Sequence, residues 1–76
     1  NLKVYPIPTG NELNIFATGN IAEVRIMNLS GSIVYTAKGK EGKTDVINIK
    51  ELPVDTYIVE VVCDDNKHCR SIFVKL

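Results

Sequence analysis

Apolar and polar positions alternate with a period of two in short runs along the chain, each run closed by a cluster of turn-forming residues. That is the pattern of strands with one buried face. Residues 2–5 alternate, and then Pro6, Pro8 and Gly10-Asn11 break the run, because proline cannot donate to a ladder and glycine accepts positive φ. Residues 12–16 put Leu13 and Ile15 on one face, and Thr18-Gly19-Asn20 ends them. In residues 21–28, Ala22, Val24 and Ile26 face one way and Glu23, Arg25 and Met27 the other. Ser30-Gly31 supplies turn chemistry before residues 32–38, whose Ile33, Val34 and Tyr35 favour a pleated surface; a hairpin is predicted there.

Residues 39–43 are polar and punctuated by glycine, so they read as a loop into residues 45–49, where Ile47 and Ile49 share a face. A corner at 50–55 containing Pro53 leads into residues 56–63, with Tyr57, Val59 and Val61 inward and Glu60 outward. This run is expected to be a central strand. Residues 64–68 form a tight turn, since Asp and Asn bond their own backbone, and residues 69–75 complete the chain. Seven short strands with frequent turns and no helical period predict an all-β, immunoglobulin-like sandwich of two antiparallel sheets. Tyr57 follows a corner and begins a strand. It is either the tyrosine of an immunoglobulin-type tyrosine corner or an ordinary strand aromatic.

Length and composition narrow the function classes. Seventy-six residues make one domain, residues 1–76, with a modest core. Nine basic and nine acidic side chains leave no net charge for an electrostatic nucleic-acid binder, and 45% apolar content is too high for a disordered tail. No apolar run is long enough for a helical membrane span. The opening Asn1-Leu2-Lys3 lacks a signal-peptide pattern, so the segment is expected to be soluble, the mature or excised part of something longer. Cys63 and Cys69 lean toward an oxidising compartment. If the turn between them has three or five residues they stand directly opposite and can bridge; two free thiols is the other reading.

Candidate chemistry is sparse. Residues 37–44 satisfy a relaxed phosphate-loop pattern, but Thr44 runs into β-forming Asp45-Val46-Ile47 where a phosphate cradle needs a helix N-terminus. Cys63, Asp64, Asp65, His68 and Cys69 match neither a closed zinc spacing nor a calcium loop. His68, the single histidine, falls at a turn tip without a pocket, so no nucleophilic triad is expected. Asn28-Leu29-Ser30 has the form of a glycosylation acceptor, although Asn28 is more simply a turn residue. No catalytic residue, metal or cofactor is expected.

Four blocks in order carry more information than any of these: Val4-Tyr5-Pro6-Ile7-Pro8-Thr9-Gly10-Asn11-Glu12-Leu13, Ile26-Met27-Asn28-Leu29-Ser30-Gly31-Ser32-Ile33-Val34-Tyr35, Leu52-Pro53-Val54-Asp55-Thr56-Tyr57-Ile58-Val59 and Phe73-Val74-Lys75-Leu76. Together they resemble the C-terminal sorting domain (type A) of type IX, or Por, secretion cargo in Bacteroidetes. The resemblance implies a non-catalytic immunoglobulin-like module that ends a larger secreted protein and directs that cargo across the outer membrane. It implies passage through the periplasm, recognition by the outer-membrane translocon, removal by a sortase-like peptidase, and a cargo left at the cell surface or outside the cell.

It also implies recognition through the last strand, with Lys75 and Leu76 as the candidate residues, and fold-defining roles for Pro6, Pro8, Gly31, Pro53 and Tyr57. The chain departs from the family pattern in three places. Ile7 stands where asparagine is usual, Ser32 where a basic residue is common, and Val54-Asp55-Thr56 lacks the usual glycine before the tyrosine. Asp55 is expected to take the backbone conformation of that glycine, since Asp tolerates positive φ. The competing expectation is a stand-alone secreted or surface module for adhesion or carbohydrate binding. A hydrolase or nucleotide-binding enzyme would need a pocket that so thin a sandwich hardly encloses.

Overall fold

A computed structural model describes residues 2–6 and 10–76. Seven strands follow the order β1 (Leu2–Tyr5), β2 (Glu12–Ala17), β3 (Ile21–Asn28), β4 (Ile33–Lys38), β5 (Thr44–Asn48), β6 (Asp55–Cys63) and β7 (His68–Lys75). They build a three-stranded sheet, β1-β2-β5, and a four-stranded sheet, β4-β3-β6-β7, all neighbours antiparallel. The chain is therefore an all-β, immunoglobulin-like sandwich. β6 sits between β3 and β7, and β3 and β4 form a hairpin.

Alternation explains the core. Val4, Leu13, Ile15, Ala17, Ile47 and Ile49 point inward from one sheet, and Ile21, Val24, Ile26, Tyr57, Val59, Val61, Cys63 and Phe73 from the other. Each fully buried branched or aromatic side chain contributes about 1.5–3 kcal/mol over its exposed state. Tyr57 and Phe73 stand opposite each other on β6 and β7 and stack with ring centroids 5.6 Å apart.

One strand departs from simple alternation. Ala22 was expected inward with Val24 and Ile26, but it is exposed and Ile21 is buried instead. The pairing of β3 with β6 shifts between Ile21 and Glu23, so Ala22 is the extra residue of a β-bulge and the parity of the strand changes there. A second shift lies between Ile26 and Met27 in the pairing with β4, where Val34 has no partner of its own. β4 is an edge strand with Ile33 and Val34 exposed and Tyr35 partly packed on the core.

The loop that resembles a phosphate cradle is the crossover between sheets, and it enters β5 rather than a helix. It is stitched to the β2–β3 connection: the Ile21 amide donates to the Gly42 carbonyl, the Ala17 amide to the Lys43 carbonyl, and the Gly39 amide to the Ala22 carbonyl. Gly39 is pressed so closely on Ile21 that an added Cβ would lie 1.8 Å from its carbonyl oxygen.

Candidate functional site

Among the described residues β7 is an edge strand, eight residues long, with β6 on one side and no strand of its own sheet on the other. Its outward residues are His68, Arg70, Ile72 and Val74; Cys69, Ser71, Phe73 and Lys75 alternate toward the opposite sheet. Lys75 was expected to be presented at the end of this strand. Its parity with Phe73 turns it inward, it is only 7% exposed, and its Nζ donates to the Leu76 carbonyl at 2.8 Å. Leu76 is 62% exposed. The strand end thus offers an apolar Leu76 side chain while the ammonium group is occupied with backbone.

The positions expected to define the fold behave in different ways. The Tyr57 hydroxyl donates to the Pro53 carbonyl at 2.6 Å, which is the backward bond of a tyrosine corner. Burial pushes the Tyr57 phenol above its ordinary pKa, and the nearby Asp55 carboxylate adds to this. Gly31 has φ of 90°, in the left-handed region, and its amide donates to the Asn28 carbonyl. The Asn28 side chain accepts from the Ser30 and Ser32 amides, so the candidate glycosylation asparagine is bound into the turn. Tyr5-Pro6 is a cis peptide bond. Pro8, with Ile7 and Thr9, lies outside the described residues. Asp55 does not replace a glycine: it opens β6 as an extended residue, and the only non-glycine residues at positive φ among those described are Glu41 and Asn66.

Asn66 sets the register of the last hairpin. Its amide donates to the Cys63 carbonyl, the Cys63 amide donates to the Lys67 carbonyl, and Asn66 takes φ of 64°, the left-handed residue of a three-residue loop over 64–66, whereas opposed cysteines would need a loop over 65–67 or 64–68. Val61 therefore faces Cys69, and Cys63 is displaced from Cys69 by two residues on the same face. The thiols are not directly opposed as a bridge across the ladder would require. Both are free here, Cys63 buried and Cys69 half-buried, and both line one depression with Thr18, Gly19, Asp65 and Lys67.

A polar cluster that strand reading did not single out covers the outer face of the four-stranded sheet. Glu60 faces outward as expected, yet its side chain is only 7% exposed. Arg25 Nη1 donates to its Oε1 at 3.2 Å, Arg70 Nε to its Oε2 at 3.0 Å, and His68 Nδ1 lies 3.6 Å from Oε2. Arg25 Nη2 also donates to Glu23 at 2.8 Å. Burial opposes the ionised Glu60 carboxyl, but the Arg70, His68 and Arg25 contacts outweigh it and hold its pKa below the ordinary carboxylate value. Period-two parity was the available signal, since β3, β6 and β7 place Arg25, Glu60 and Arg70 in one row across the sheet. No group of three or more His, Cys, Asp and Glu among the described residues is arranged to hold a metal ion.

The sequence model of the secretion system C-terminal sorting domain matches residues 3–75. The chain belongs to that family, the type IX sorting domains. A curated relative of this sorting domain is Ulvan lyase NLR42 of Nonlabens ulvanivorans, 37% identical over 65 residues. The match covers 84% of the chain but only 12% of the lyase, so the sorting domain corresponds to a small part of that protein. Among solved structures it is similar to CopC from Methylosinus trichosporium OB3b, with a TM-score of 0.53, 12% identity, 99% of this chain covered and 91% of the other. That likeness concerns the sandwich fold alone.

Proposed function

We propose that this domain is a non-catalytic secretion signal that directs an attached upstream cargo across the outer membrane to the cell surface or the extracellular space. The observation that carries this reading is the family match along nearly the whole chain, residues 3–75. The small share of the relative's length that it covers is in keeping with an address joined to a larger cargo, and a polysaccharide-degrading enzyme is one such cargo.

In this reading the outer-membrane translocon recognises the domain after it reaches the periplasm, and a sortase-like peptidase acts later on the junction with the cargo. β7, the edge of its sheet among the described residues, is the strand on which a partner strand would add, and exposed Leu76 supplies an apolar side chain beside it. Lys75 acts through position, its aliphatic stem and Nζ bond holding the strand end against the sandwich.

The test is a fusion of residues 1–76 behind an export signal and a reporter, in a host with the type IX system. The reporter is expected on the surface, and retention in the periplasm of a folded fusion would sink the reading. Leu76→Ser, which keeps the main-chain oxygen bonded by Lys75, should lower surface delivery while leaving thermal unfolding unchanged.

A further inference from the structure

On the outer face of the three-stranded sheet, Lys3 stands directly opposite Phe16, and Tyr5 opposite Asn14. Asn14 is opposite Val46 on β5, Phe16 opposite Thr44, and Glu12 opposite Asn48. These outward positions leave three large apolar side chains half exposed on one face: Tyr5, Phe16 and Val46 are each 47% exposed. Lys3, Tyr5 and Phe16 line an open depression of about 440 Å³, within the size range of small-ligand sites. Asn14 Nδ2 donates to the Tyr5 carbonyl at 3.1 Å, which pins the amide beside the aromatic pair. Among the described residues Lys3 enters no ion pair.

We propose that this face is a binding site for an anionic saccharide, a pyranose chain bearing carboxylate or sulfate groups. The exposed faces of Phe16 and Tyr5 carry negative quadrupole charge and stack on the polarised C–H face of a sugar ring. The Lys3 ammonium meets the anionic substituent, and the neutral polar side chains of Asn14 and Thr44, beside Tyr5 and Phe16, bond ring hydroxyls.

A protein partner fits less well. Stable protein contacts bury roughly 800 Å² on each side around a fully dried apolar centre, whereas this face is three strands wide and interleaves its apolar groups with amides and hydroxyls. The charge also selects the ligand, because Lys3 adjoins the aromatic pair while Glu12 lies in the row beyond Asn14. The site's side chains belong to β1, β2 and β5 and none to β7 or the residues after it, so its test is separate from that of the sorting reading.

The test is NMR titration of the isotopically labelled 76-residue chain with an oligouronate, a sulfated oligogalactan and a neutral oligoglucoside. Saturable shifts are expected at Lys3, Tyr5, Phe16 and Val46 with dissociation constants on the order of 1 mM or tighter for at least one acidic sugar. Binding to the neutral sugar should be weaker. Phe16→Ala and Tyr5→Ala should each weaken binding about tenfold with the dispersed spectrum retained. Lys3→Gln should remove the preference for the acidic sugars. The proposal is overturned by absence of saturable shifts, by shifts centred on Arg25 and Arg70, by undiminished binding in Phe16→Ala, or by concentration-dependent shifts of the same residues without sugar, which would mean self-association.

Discussion

Replacing Tyr57 by phenylalanine leaves the stack on Phe73 in place and removes one bond, the hydroxyl to the Pro53 carbonyl. A loss of about 0.5–1.5 kcal/mol is expected in denaturant unfolding, with an unchanged m-value, because a single intramolecular hydrogen bond has that net worth. Glu60 governs a different readout. Its native pKa is depressed, so in the acid range the unfolded state binds more protons than the native one and stability rises with pH. The stabilisation from Glu60 is full above the unfolded glutamate value, about 4.3, and is lost as pH falls through the lower native value. Glu60→Gln should therefore be less stable than the parent near neutrality, and the two should converge in strong acid when unfolding is followed against pH.

At the scale of elements, the constraints sit where strands change sheet. Gly39→Ala should destabilise by about 1–3 kcal/mol, since its Cβ would meet the Ile21 carbonyl and β3 is bonded to both Gly39 and Gly42 of the crossover. Thermal unfolding of that variant checks it, with Gly10→Ala as a control because no described residue approaches that position. The β6–β7 hairpin makes a separate prediction. Its three-residue loop offsets the cysteines, and diagonal partners ordinarily have Cα atoms about 7–8 Å apart, at the limit for a bridge without backbone movement. Two titratable thiols are expected. Cys69 should react first with an alkylating reagent and Cys63, 5% exposed, only on opening of the sandwich, as mass spectrometry over time would show.

For the molecule as a whole, the two sheets divide the surface into unlike faces. The four-stranded sheet carries the ionic row of Arg25, Glu60 and Arg70 and ends at the β7 edge; the three-stranded sheet carries the aromatic pair Tyr5 and Phe16. Export and sugar binding are accordingly expected to separate by mutation. Phe16→Ala should leave surface delivery of a reporter intact, and Leu76→Ser should leave saccharide binding intact. Fractionation of cells carrying the fusion, together with the NMR titration, measures both.

The strands were legible in the sequence because a strand buried on one face repeats with period two, and that local pattern needs no knowledge of its neighbours. The motif order from Val4 to Leu76 was equally legible, and with it the family. Even the inward turn of Lys75 follows from its parity with Phe73. Other features depend on contacts between residues distant in the chain. The bulge at Ala22 arises from pairing with β6, the burial of Glu60 from guanidinium groups on two other strands, and the offset of Cys63 from Cys69 from the left-handed turn at Asn66. The aromatic face likewise exists only because β1 and β2 pair in a register that sets Lys3 against Phe16. Parity along one strand states which residues share a face, whereas register between strands decides which of them meet.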